Sequence, residues 1–117
     1  MNPRLSTALA LWGAAAAFAG LPAVAAPGPV TLTLKDHRFT PASFTVPAGQ
    51  KVEIVLVNQD KATEEFDSHD LKIEKLVTPS GRVTFSIGPL KPGAYSFMGE
   101  FHPETAQGRV VAQDVRP

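Results

Sequence analysis

Hydrophobic and polar residues alternate in short runs along most of the chain after position 28. The run VTLTLKD sets Val30, Leu32 and Leu34 against threonines and a lysine, which is the period-two pattern of a half-buried strand. Further runs of this kind are SFTVPAGQ, KVEIVLVN, HDLKIEKLV, GRVTFSIG, GAYSFM and GRVVAQDV, and Gly and Pro turn signals separate them. Only DKATEEFD could form a helix, of one or two turns at most. The pattern predicts an all-β sandwich or small barrel of about seven strands.

The N-terminal segment has a different pattern. MNPR contributes one positive charge at Arg4, an uncharged apolar run follows, and Ala23-Val24-Ala25 has the small-x-small pattern of a cleavage site. These features predict a signal peptide over residues 1–25 and an exported domain over 26–117. An uncleaved membrane anchor is the alternative, although the apolar run is short for a membrane span.

Composition excludes several classes of function. The 11 basic residues balance the 11 acidic residues, so no strong electrostatic attraction to nucleic acid or to an anionic membrane is expected. The chain has no cysteine, which excludes disulfides and thiolate chemistry. The sequence lacks the common hydrolase, phosphate-binding and zinc-protease motifs. The adjacent Ser68, His69 and Asp70 cannot form a catalytic triad, because neighbouring residues of an extended chain face opposite sides.

Two long segments resemble cupredoxins. In the first, FTPASFTVPAGQKVEIVLVNQD, the matching residues are Phe39, Pro41, Val46, Gly49, Val52 and Asn58. In the second, LKPGAYSFMGEFHPETAQGRVV, they are Pro92, Gly93, Tyr95, Phe97, His102 and Gly108. The resemblance implies a cupredoxin-like Greek-key β-sandwich of about seven strands, with a metal site at the loop that holds His102.

The chain departs from the blue-copper pattern at two ligands. A blue site has two histidines, one cysteine and a weak axial ligand. The cysteine position of the loop is Gly99 here, and the position of the axial methionine is Ala106. The resemblance therefore does not imply a blue site or the electron transfer that such a site performs.

The combination of EEFDSHDL with FMGEFHPETAQG is similar to the EfeO-type cupredoxin-like domains of bacterial iron-uptake systems. That resemblance implies a periplasmic protein that binds copper or iron. It would act in iron acquisition with a membrane iron permease, by metal handover or by ferrous iron oxidation. On this interpretation the chain is not a complete enzyme on its own, although it could assist ferrous oxidation. The alternative is a metal-free, cupredoxin-shaped interaction module.

The predicted metal ligands are His102, His69, Glu65, Met98, Glu100 and Asp67. His102, which lies between two predicted strands, is expected to be the dominant ligand, and imidazole is a common ligand of copper, iron and zinc. His69 is expected at the same end of the fold. Each of these residues also has an ordinary interpretation, as a surface histidine, a solvated acidic loop or a methionine in the core.

The spacing of the acidic candidates is informative. Glu65, Asp67 and His69 are two residues apart, so they project from one face if the segment is extended. Met98 and Glu100 share a face by the same argument, opposite Gly99. A mixed imidazole and carboxylate set suits Cu(II), iron or manganese, and copper is the metal expected, with iron as the alternative. Glu104 is a weaker candidate, and His37 is expected to be an exposed residue without a role.

Overall fold

The computed structural model describes residues 27–115, so the predicted signal peptide lies outside the described residues. Nine strands form two sheets: β1 (Val30–Lys35), β2 (Arg38–Thr40), β3 (Ser43–Pro47), β4 (Val52–Asn58), β5 (Glu64–Ser68), β6 (Ile73–Val77), β7 (Arg82–Ile87), β8 (Gly93–Gly99) and β9 (Gln107–Gln113). The described residues contain no helix, and hence none that is long and apolar enough to cross a membrane.

Each of the two sheets contains strands from both the N-terminal and the C-terminal half of the domain. The first sheet has the order β2-β1-β4-β7, and the second has the order β3-β9-β8-β5-β6. The pairs β1–β4 and β3–β9 are parallel, whereas the other neighbours are antiparallel. The predicted all-β sandwich is confirmed, with nine strands instead of about seven.

The segment DKATEEFD, predicted to be the only helix candidate, contains the start of strand β5. This strand is flanked on both sides, by β6 and by β8, with Asp67 opposite both Glu74 and Met98. Its residues alternate between buried and half-buried, and Phe66 points into the core. Pairing with two neighbours and burial of Phe66 outweigh the weak helical preference of a short acidic segment.

Aromatic side chains fill the space between the sheets. Phe66 stacks on Phe97 with ring centroids 4.9 Å apart, and Phe39 meets Phe97 edge-on at 5.1 Å. Phe97 in turn lies against Gly108 of β9, where an added Cβ would collide with the phenyl ring and lie 2.9 Å from the Ala42 carbonyl oxygen. Gly108 is therefore required by close packing of the core near the loop that holds His102.

We expect Gly108→Ala to lower the free energy of unfolding by about 1–3 kcal/mol, the usual cost of overpacking a core. For a domain of this size each 1 kcal/mol lowers the melting temperature by about 4–8 °C. Gly28→Ala is the matched control, because nothing lies within 4 Å of its added Cβ. Thermal unfolding followed by circular dichroism measures both variants. Equal melting temperatures for Gly108→Ala and wild type would contradict the packing argument.

Candidate metal centre

His102 lies in the loop that joins β8 to β9 at one end of the sandwich. Several backbone hydrogen bonds close this loop. Among them, the His102 amide donates to the Gly99 carbonyl at 3.0 Å, the Ala106 amide to the His102 carbonyl at 2.8 Å, and the Gly99 amide to the Ala106 carbonyl at 2.8 Å. These turns fix the backbone on both sides of the histidine. The His102 side chain is 31% exposed, so its ring lies at the surface of the end and is reachable from solvent.

The imidazole of His102 meets the carboxylate of Glu64, the first residue of β5. Nδ1 of His102 lies 3.2 Å from Oε1 of Glu64, whose side chain is only 2% exposed. The other carboxylate oxygen accepts the backbone amides of Phe101 at 3.2 Å and Glu65 at 3.3 Å. A buried carboxylate needs such partners, and both oxygens of Glu64 have them.

The Glu64 carboxylate occupies the space into which a side chain at position 99 would extend. A Cβ built on Gly99 would collide with Oε1 of Glu64 and would lie 2.7 Å from the Cβ of Ala106. Ala106 is fully buried and has no ligand atom. The possible ligand atoms at this point are therefore a carboxylate oxygen and an imidazole nitrogen. The resemblance would place a thiolate at position 99 and a thioether at position 106.

His37 contacts the site, contrary to the prediction that it is an exposed residue without a role. Its ring stacks on the ring of His102, with centroids 3.5 Å apart and planes 12° from parallel. His37 belongs to the turn between β1 and β2, and its Nδ1 lies 3.5 Å from Oδ2 of Asp60. Two imidazole–carboxylate pairs thus meet face to face at this end of the sandwich.

Asp60 also binds the backbone of that turn. Its carboxylate accepts the amides of Asp36 at 2.7 Å and His37 at 3.0 Å. Burial raises the pKa of Asp60, but the hydrogen bonds from His37 and Asp36, with the nearby imidazoles, outweigh it and leave the pKa below its ordinary value of 3.8. The carboxylate is therefore ionised at neutral pH and holds the turn.

Four of the predicted ligands share the outer face of the second sheet. Glu65 and Asp67 project from β5, and Met98 and Glu100 from β8 and the residue that follows it, with Asp67 directly opposite Met98. Carboxylate oxygens of Glu65, Asp67 and Glu100 lie within 4.8 Å of one another. The predicted common faces of Glu65 with Asp67 and of Met98 with Glu100 are observed, whereas their role as metal ligands stays a prediction.

The neighbouring carboxylates on the outer face of the second sheet raise the pKa of Glu100. A hydrogen bond with Asp67 is the largest cause of its raised pKa, and the negative charges of Asp67, Glu65 and Glu74 act in the same direction. Within residues 27–115 no lysine or arginine forms a salt bridge with these groups. A cation bound among these carboxylates would relieve the unfavourable interaction that raises the pKa of Glu100.

His69 does not lie at the His102 end, contrary to expectation. It follows β5 and stands five residues beyond Glu64, which at about 3.3 Å per residue places it roughly 16 Å along the sheet. There it lines a cleft together with Asp67 and Glu74. The weaker candidate Glu104 is exposed on the loop. The structure therefore brings His102 together with Glu64 and His37, and not with His69.

Glu64 and Asp60 were missed, and the sequence held a signal for only one of them. Glu64, Phe66 and Ser68 are two residues apart, so the apolar Phe66 indicates that Glu64 faces inward if the segment is a strand. Recognising β5 would have identified Glu64 as the inward carboxylate and Glu65 as the outward one. Asp60 binds a turn that is distant in sequence, and no local pattern indicates such a contact.

We expect Glu100→Gln to raise the stability of the metal-free protein at pH 7. A carboxyl whose pKa is raised by folding binds protons more tightly in the folded state, so its ionisation opposes folding as the pH rises through that range. The gain should shrink as the pH falls to the ordinary value of 4.5 and below. Melting temperatures of wild type and Glu100→Gln at pH 7 and at pH 4.5, with chelator present, measure this gain in stability. Glu53→Gln on the exposed face of β4 is the control, and a loss of stability at pH 7 would refute the argument.

Comparison with known proteins identifies the family. A family model described as a cupredoxin-like domain matches residues 5–112. An uncharacterised protein of Rickettsia prowazekii (strain Madrid E) is 44% identical over 85 residues, which is 73% of this chain and 68% of that protein.

Two solved structures show the same fold. One is a mutant of amicyanin in the Cu(I) form, with a TM-score of 0.59 at 15% identity, covering 76% of this chain and 86% of that chain. Amicyanin from Paracoccus versutus has a TM-score of 0.57 at 18% identity, covering 81% and 87%. Together with the strand order and the loop around His102, the family match leads to one conclusion: the chain belongs to the cupredoxin-like domain family.

Proposed function

We propose that this chain is a periplasmic metal-binding domain with a non-blue site, and that it acts in iron acquisition. One observation carries the proposal: the buried carboxylate of Glu64 faces Nδ1 of His102 at 3.2 Å, beside Gly99, the position to which the resemblance assigns the cysteine of a blue-copper site. The assignment to iron uptake is supported by the resemblance of EEFDSHDL and FMGEFHPETAQG to EfeO-type domains, and the expected partner is a membrane iron permease.

The Glu64–His102 pair fits Cu(II). Two ligand atoms 3.2 Å apart can both lie about 2.0–2.2 Å from one ion, the usual length of metal–nitrogen and metal–oxygen bonds. Mixed nitrogen and oxygen donors suit Cu(II), which also leads the Irving–Williams order of affinities. Binding would displace the proton between the two groups, so we expect the affinity for metal to fall as the pH falls. A copper ion held there would accept one electron from Fe(II), which is the chemistry that ferrous oxidation requires.

The outer-face carboxylates form a second group of ligand atoms. Glu65, Asp67 and Glu100 offer oxygens within 4.8 Å of one another, and Met98 lies directly opposite Asp67. Carboxylate oxygen is the ligand type that hard divalent cations prefer. We assign this face to the iron that the system transports, as cargo, and the Glu64–His102 end to copper.

A metal-free interaction module is the second candidate, and one observation favours it. Every buried side-chain polar atom among the described residues has a hydrogen-bond partner. Glu64 in particular is satisfied by His102, Phe101 and Glu65 without an ion. The two candidates differ in a single measurable property, which is whether the folded protein takes up metal at these residues.

We expect wild type to bind one Cu(II) per chain at the end site. His102→Ala and Glu64→Gln should each weaken binding by more than about tenfold, because changes even to supporting residues of metal sites cost about 10–100-fold. Calorimetric titration measures affinity, and electron paramagnetic resonance detects the nitrogen ligand. His69→Ala is the matched control, since His69 lies away from this end.

Two results would overturn the copper assignment. Equal Cu(II) affinities for wild type, His102→Ala and Glu64→Gln would show that His102 and Glu64 do not bind the ion. An intense absorption band at ~600 nm, which is typical of copper–thiolate sites, would contradict a site without sulfur. Failure of the wild type to bind any metal would favour the interaction module.

We expect Mn(II), used as a stable substitute for Fe(II), to bind the outer face. The triple variant Glu65→Gln, Asp67→Asn, Glu100→Gln should lose Mn(II) binding and keep Cu(II) binding, while His102→Ala should do the reverse. The decrease in the electron paramagnetic resonance signal of free Mn(II) during titration measures how much Mn(II) the protein binds. Mn(II) binding that survives the triple change would show that the outer carboxylates are not the ligands.

A further inference from the structure

The turn that presents His37 has an unfavourable backbone. Lys35 pairs with Arg38, so Asp36 and His37 form a two-residue hairpin turn, and both have positive φ, at 51° and 57°. Hairpins of this kind favour Asn-Gly or Asp-Gly, because a side chain is disfavoured in the left-handed region. Gly would be the ordinary residue at position 37, and an imidazole stands there instead. A strained residue of this kind raises the question of its role.

Contacts from the β4–β5 connection hold this turn in place. The Asp60 carboxylate accepts both turn amides, and the Asp60 amide itself donates to Oδ1 of Asn58 at 2.9 Å. Asn58 is 1% exposed, and its Nδ2 donates to the carbonyls of Ala62 and Thr78 at 2.8 and 3.1 Å. A hydrogen-bond network that extends to the buried Asn58 therefore supports the strained turn and fixes the position of the His37 backbone.

The result is that the ring of His102 is fixed on two sides. Its edge meets Glu64 through Nδ1 at 3.2 Å, and its face meets the ring of His37 at a centroid distance of 3.5 Å. An edge contact alone leaves the ring free to swing about the hydrogen bond. A parallel ring against its face removes that freedom and keeps Nδ1 directed at Glu64.

We infer that His37 is a positioning residue for His102: its stacked ring, supported by Asp60, holds the His102 imidazole with Nδ1 facing the Glu64 carboxylate. The relevance of this to metal binding rests on the proposed function, since it makes His102 a ligand held in advance by its neighbours. His37 itself is not assigned as a ligand. The lone pair of a ring nitrogen points along the plane of its ring, so an ion that it binds lies in that plane. Two parallel rings with centroids 3.5 Å apart lie in different planes, so they cannot both bind one ion in this way.

The stacking argument requires a flat ring at position 37 and not a ring nitrogen. His37→Phe retains a flat ring and removes both nitrogens. His37→Asn removes the ring and keeps a residue that tolerates the left-handed turn, so the hairpin should survive. Thermal unfolding of both variants checks that the fold is kept, with His69→Ala as the control for loss of an imidazole elsewhere.

The first measurement uses the metal-free protein, with nitrogen-15 labelling and long-range proton–nitrogen correlation spectra at pH 8. Wild type and His37→Phe should show one His102 tautomer, with the proton on Nδ1. His37→Asn should show a mixture of tautomers or lose the Nδ1 proton signal. A wild-type spectrum for His37→Asn would overturn the inference, because Glu64 alone would then orient the ring.

The second measurement is Cu(II) titration of the same variants. His37→Asn should bind at least about tenfold more weakly, as is usual for loss of a supporting residue, and His37→Phe should remain within about threefold of wild type. If His37→Phe loses as much as His37→Asn while its His102 tautomer is unchanged, His37 is itself a ligand and the inference is wrong. If wild type binds no Cu(II), the proposed function fails, and the tautomer measurement still decides the role of His37.

Discussion

A buried carboxylate determines the structure of the candidate site. Glu64 is 2% exposed, and a carboxylate so far from water is tolerated only with hydrogen-bond donors close to it. The loop after β8 supplies them, through the Phe101 amide and the His102 ring. The same demand explains why position 99 is glycine, since any side chain there would collide with the carboxylate. The loop after β8 is thus folded around a carboxylate, at the position where the resemblance to blue-copper proteins would place a thiolate.

The alternation of a single strand then distributes carboxylates to both sides of the sheet. Glu64 points inward at the start of β5, while Glu65 and Asp67 point outward beside Glu100. The inward group is shielded and paired with an imidazole. The outward groups Glu65 and Asp67 are half-buried beside the exposed Glu100, whose pKa is raised by its hydrogen bond with Asp67 and by the neighbouring negative charges. Two chemically different carboxylate environments therefore arise from neighbouring residues of one strand.

Period-two alternation was sufficient to predict the sandwich and the shared faces of Glu65 with Asp67 and of Met98 with Glu100. It left β5 undecided, because the acidic segment also resembled a helical turn, and pairing with β6 and β8 makes it a strand. Because the strand was not assigned, the inward direction of Glu64 was not identified. His37 was missed for a different reason: its contact with His102 depends on the β1–β2 hairpin and on Asp60. Local patterns carry no information about such a contact, because it joins residues that are far apart in the chain.

The end site is complete without an ion, and this sets what a metal must do there. Glu64, His102, His37 and Asp60 already satisfy one another in two stacked imidazole–carboxylate pairs. Hydrogen bonds to the Glu64 and Asp60 carboxylates connect the loop and the β1–β2 turn to the rest of the fold through protein contacts. On the proposed function, a metal held by Nδ1 and Oε1 would take the place of the proton between them. Such a site would be preorganised, and its affinity for metal would be set by competition between metal and proton at this pair of atoms, which lie 3.2 Å apart.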